Sequence, residues 1–145
     1  MKVLIIDDKA TERDKGARAA KALGWEVVVC DPTSLPGREW FELIDGVDGV
    51  ITDLMWPYHD HGDKPGGLLV VIHAIFLGKP VVICTNGKHH GESMAFIHDG
   101  YMMAVARVHT RNHKFHSKKP FGWNDHKNWP AAMKQLAAFA VPKAL

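Results

Sequence analysis

Asp48-Gly49-Val50-Ile51-Thr52-Asp53-Leu54-Met55-Trp56-Pro57 is the stretch on which the fold turns. Residues 49–52 are short, β-branched and apolar at successive positions, which suits a strand covered on both faces, and the run stops on a carboxylate. Three further segments have the same character: residues 2–6, 25–30 and 80–84. Between them the apolar spacing becomes helical. Residues 10–23 place Ala17, Ala20 and Leu23 on one stripe with Gly24 as the stop, residues 38–44 form a short helix, and residues 67–77 close on Gly78 ahead of Pro80. Strands and helices alternating at this pace make βαβ units, whose right-handed crossovers build a doubly wound α/β sandwich. Farther on, residues 92–103 read as helical despite Gly100, and residues 105–109 are a short strand candidate. Asn128-Trp129-Pro130 puts an N-cap residue ahead of a first-turn proline, and residues 131–141 continue with Met133, Leu136, Ala137 and Ala140 on one face.

The bulk numbers agree with one domain over residues 1–145, with no output domain after the closing helix. The 145 residues are 46% hydrophobic, enough for one core, and no apolar run is long enough for a membrane. The apolar start at residues 1–6 is too short for an export signal, so the cytoplasm is the expected location. Cys30 and Cys84 end apolar runs and read as two buried thiols. A net charge of +2 argues against direct nucleic-acid binding. Residues 107–127 are nonetheless basic, with Arg107, Arg111, Lys114, Lys118, Lys119 and Lys127 interleaved with aromatic residues; a solvated loop is the plainer reading, a partner surface the other.

Ligands of an open parallel sheet sit beyond the carboxyl ends of its strands, where strand order reverses. The first strand here ends in Asp7-Asp8, the third in Asp53 and the fourth in Thr85. Three carboxylates on one sheet edge repel one another unless a cation intervenes, and hard oxygen ligands suit Mg²⁺ or Mn²⁺. A carboxylate beside such a cation can attack a phosphoryl group, and the site then calls for a lysine to offset the phosphoryl charge. Taken singly, Asp7-Asp8 would serve equally as a helix cap or turn. The spacing of 45 residues from Asp8 to Asp53 and 32 from Asp53 to Thr85 is what binds the set together.

Val3-Leu4-Ile5-Ile6-Asp7-Asp8, the stretch around Asp53, Pro80-Val81-Val82-Ile83-Cys84-Thr85 and Lys119-Pro120-Phe121, in that order, resemble the receiver domain of two-component response regulators. The resemblance implies a flavodoxin-like, five-stranded parallel sheet of order 2-1-3-4-5. It implies Asp53 as phosphoacceptor, with Asp7, Asp8, Asp53 and the backbone carbonyl of Met55 around the metal. It also implies Thr85 and Lys119 as phosphoryl partners, Lys118 being the alternative lysine. Pro57 would start the following loop. The function implied is a stand-alone receiver rather than a conventional enzyme, with Mg²⁺-dependent autophosphorylation and autodephosphorylation. Its partners would be a histidine kinase or phosphotransfer protein and a downstream protein target, and it would be a monomer or a phosphorylation-dependent dimer.

The sequence also departs from that pattern. Residues 58–67 make a longer loop after Asp53 than the family has, and the 34-residue interval from Thr85 to Lys119 exceeds the family's, with His109, His113 and His116 inside it. His116 stands where a switch aromatic is usual, and Asn86 replaces a small residue. His73 reads as a core histidine, and Trp56 and Trp123 as ordinary packing. Two rivals follow: a degenerate, phosphorylation-independent receiver acting as an interaction module, and a phosphohydrolase on a similar sheet, which lacks an Asp-x-Asp pair because Lys9 and Ala10 follow Asp8.

Overall fold

The computed structural model describes residues 1–35, 39–57, 63–86, 121–124 and 126–140. The elements run β1 (Lys2–Ile6), α1 (Ala10–Lys21), β2 (Glu26–Cys30), α2 (Glu39–Asp45), β3 (Gly49–Thr52), β4 (Trp56–Pro57), β5 (Asp63–Lys64), α3 (Gly66–Phe76), β6 (Val81–Cys84), β7 (Phe121–Asn124) and α4 (Trp129–Ala140). Five strands form one parallel sheet of order β2-β1-β3-β6-β7, while β4 and β5 pair antiparallel as a separate ribbon. Setting that ribbon aside, the order is the expected 2-1-3-4-5.

The continuous apolar strands are explained by their surroundings. Every residue of β3 and β6 is buried, and alternate side chains feed two separate layers. Leu4, Ile6, Val50, Val81 and Ile83 face α2 and α3 through Trp40, Ile44, Val70, Val71 and Ala74. Val3, Ile5, Ile51, Val82 and Cys84 face α1 and α4 through Ala20, Trp129, Met133 and Leu136. Because the chain moves from β1 to β2 on one side and to β3 on the other, the order reverses between β1 and β3. Their carboxyl ends open a crevice there.

Several expectations need correction. Leu23 lies beyond the end of α1 and is exposed, and the contact expected of it comes from Gly16, where a Cβ would stand 2.8 Å from the Trp129 ring. The ribbon β4–β5 closes the ends of what reads in sequence as an open loop, so Pro57 lies in a strand; residues 58–62 lie outside the described residues. His73 is half-buried at the flank, its Nε2 without a hydrogen bond among the described residues and 3.8 Å from an Asp45 oxygen, and its ring edge-on to Phe41. The fifth sheet strand among the described residues is Phe121–Asn124; the candidates at 92–103 and 105–109 lie outside them. Trp56 is ordinary packing as expected, and both cysteines are buried free thiols. None of the described helices is long and apolar enough to cross a membrane.

Candidate functional site

The strand ends bring the expected acids together. Asp7 and Asp53 are buried, and Asp7, Asp8 and Asp53 each offer a carboxylate oxygen within 4.8 Å of the others. The backbone holds them in place. The Asp53 amide donates to the Ile6 carbonyl at 2.8 Å, and the Asp53 Oδ1 accepts the Leu54 amide at 2.7 Å. The Asp7 Oδ1 accepts the Lys9 amide at 2.9 Å, while Arg13 donates to the Asp7 carbonyl at 2.7 Å and pairs with Asp31 at 3.2 Å. Gly67 lets α3 abut this edge: a Cβ there would stand 2.1 Å from the Asp53 carbonyl oxygen. The Gly67 amide donates to the Leu54 carbonyl at 3.0 Å.

Among the described residues, the ammonium that enters the crevice is that of Lys127. Its Nζ donates to Asp7 Oδ2 and to Asp53 Oδ2, both at 2.7 Å, with only 6% of the side chain exposed. Lys118 and Lys119 lie outside the described residues. Phe121 begins a strand instead of following one, so Lys119-Pro120-Phe121 leads into β7, and Lys127 follows the end of β7 that faces the site. Sequence reasoning counted Lys127 only as part of a basic stretch. The signal available was its place directly before the Asn128 cap of the last helix.

Electrostatics fit a charged, largely buried pocket. Burial pushes the Asp7 carboxyl up to about 6, helped by the charge of Asp53 and opposed by Lys127. For Lys127 burial acts downward, but the Asp53 and Asp7 carboxylates outweigh it and hold the ammonium above the ordinary lysine value. Thr85 is buried at the end of β6, and among the described residues its hydroxyl has no hydrogen-bond partner. A buried hydroxyl left unpaired is costly unless a ligand supplies an acceptor. Met55, two residues past Asp53, is half-buried against the core.

The geometry matches solved structures closely enough to name the fold. A response regulator protein from Burkholderia multivorans aligns over 99% of this chain and 98% of its own, with a TM-score of 0.54 and 18% identity. A response regulator receiver domain protein from Clostridium thermocellum aligns over 94% of each chain, with a TM-score of 0.53 and 19% identity. The chain has the receiver-domain fold. At such identity the likeness is one of fold, and no family model and no curated protein matches the sequence. Set on the receiver fold, Asp7, Asp8, Asp53, Thr85 and Lys127 all occupy the carboxyl edge of the sheet, at the reversal between β1 and β3 and its neighbour β6.

Proposed function

We propose that this receiver-fold chain accepts a phosphoryl group on the Asp53 carboxylate, from a histidine kinase or phosphotransfer protein, and passes the change to a protein target. The reading rests on one observation: among the described residues, three carboxylates and the Lys127 ammonium meet at the strand ends, with the buried, unpartnered Thr85 hydroxyl at the end of the neighbouring strand β6. The oxygen-only donor set of Asp7, Asp8 and Asp53 fits a hard divalent cation such as Mg²⁺ or Mn²⁺, with the Met55 carbonyl as a further ligand. Such a cation, when bound, offsets negative charge on the phosphoryl oxygens.

The residues of the chain do the rest. An Asp53 oxygen attacks phosphorus as the bond to the donor imidazole breaks, and the leaving nitrogen keeps the electron pair. Lys127, already on Asp53, follows the charge onto the transferred group, and the Thr85 hydroxyl gains the acceptor it lacks. Later attack by water on phosphorus breaks the bond to the Asp53 oxygen, releases inorganic phosphate and returns the free carboxylate. The partners, the cytoplasmic location and the switch role belong to this same reading.

The test is intact-mass measurement after incubation with Mg²⁺ and acetyl phosphate. Wild type should gain one phosphoryl group, and chelation of the cation or Asp53→Asn should abolish it. A wild-type chain that gains nothing, from acetyl phosphate or from a phosphohistidine donor, would leave an interaction module as the function.

A further inference from the structure

Lys127 is held in an unusual way. Its φ is +43°, the left-handed region that non-glycine side chains rarely adopt, and it is the one non-glycine residue with positive φ among the described residues. Such a conformation is strained and persists only where neighbours over-determine it. Three sets of bonds do so here. The Lys127 amide donates to the Thr85 carbonyl at 3.2 Å, and the Thr85 amide donates to the Asn124 carbonyl at 2.9 Å. The Asn124 side-chain oxygen accepts the Asn128 amide at 3.0 Å and the His126 amide at 3.4 Å. Beyond the turn, Asn128 caps α4 through the Ala131 amide at 3.1 Å, and the Trp129 indole donates to Glu12 at 2.9 Å.

Of these groups only the Asn124 amide oxygen is a side chain that clasps the turn from both flanks of Lys127. We propose that Asn124 is a positioning residue: its side chain holds the turn that aims the Lys127 ammonium at Asp53 and ties it to Thr85, so that the two phosphoryl partners move as one unit. The inference rests on reading Asp53 as the phosphoacceptor, but its geometric half does not. Asn124 touches no reacting atom. Its carbonyl accepts the Thr85 amide, and its carboxamide oxygen accepts the amides on either side of Lys127. Asparagine suits the role because its short amide bonds to backbone amides two and four residues on, an Asx-type arrangement that alanine cannot make.

Nitrogen-15 spectra of the lysine ammonium groups, assigned with Lys127→Arg, read the positioning directly, and acetyl phosphate loading with Mg²⁺ reads its consequence. In wild type the Lys127 ammonium should give a protected signal apart from the solvent-exposed lysines. Asn124→Ala should merge that signal with the others and slow loading by roughly tenfold to a hundredfold, as small misplacements of catalytic groups do. Asn124→Asp, which keeps the acceptor oxygen, should restore both. If Asn124→Ala does not fold, Asn124→Gln shifts the oxygen by one methylene and is read the same way. A protected signal that survives Asn124→Ala or Asn124→Gln overturns the proposal, as does unchanged loading once the signal is lost. A wild type that shows the signal but never loads overturns the phosphoacceptor reading alone.

Discussion

Asp7 and Asp53 are buried and share the Lys127 ammonium between them, so the stability of the site depends on pH in a definite direction. Burial raises the Asp7 carboxyl from its ordinary 3.8 to about 6. A pKa raised on folding contributes stability that is fully present below the unfolded value and is lost as pH rises through the folded one. Between about pH 6 and pH 4.5, acidification should therefore stabilise the cation-free chain, by roughly 1.5 of the about 3 kcal/mol that the full shift of this group implies. Glu12 and Asp31, whose carboxyls are held below their ordinary values by Lys15 and Trp129 and by Thr33 and Arg13, act oppositely but only at lower pH. Urea unfolding with a chelator at pH 7 and pH 5 checks this: stability should be higher at pH 5, and Asp7→Asn should flatten the difference. Added Mg²⁺ should stabilise more at pH 7, where it does not compete with the Asp7 proton. The acids were legible in sequence because each ends an apolar strand. Lys127 was not, because its importance depends on where β7 stops.

At the scale of elements, the close approach of α3 to the Asp53 peptide is the most specific packing feature. Gly66 lies against the Trp56 indole and Gly67 against the Asp53 carbonyl, leaving no room for a Cβ at either position. Gly67→Ala should cost about 3 kcal/mol by overpacking and slow phosphoryl loading by shifting Asp53. Gly46→Ala, whose Cβ would meet nothing closer than 3.8 Å, should change stability by less than about 0.5 kcal/mol. Thermal unfolding of the two variants side by side checks the contrast. The central strands were readable because burial on both faces leaves no room for polar residues. The strand β7 was hidden because Phe121-Gly122-Trp123-Asn124 carries a glycine and an asparagine and, among the described residues, sits at the sheet edge beside β6. The ribbon β4–β5 was hidden because two residues on each side carry no periodic signal.

For the molecule as a whole, the doubly wound order determines where chemistry can occur. Reversal between β1 and β3 puts Asp7 and Asp53 at one crevice, β6 adds Thr85, and the turn after β7 adds Lys127, each from a different βα junction. The topology followed from the alternation of elements, which is a property of the chain read at long range. The central claim is that Asp53 takes a phosphoryl group with a cation at this crevice. Its most direct measurement is the amide NMR spectrum with Mg²⁺ and beryllofluoride, a stable mimic of the acyl phosphate. The expected result is a saturable set of shifts at Asp53, Thr85 and Lys127, reversed by chelation and absent in Asp53→Asn. A spectrum that stays unchanged at saturating Mg²⁺ and beryllofluoride would contradict the account.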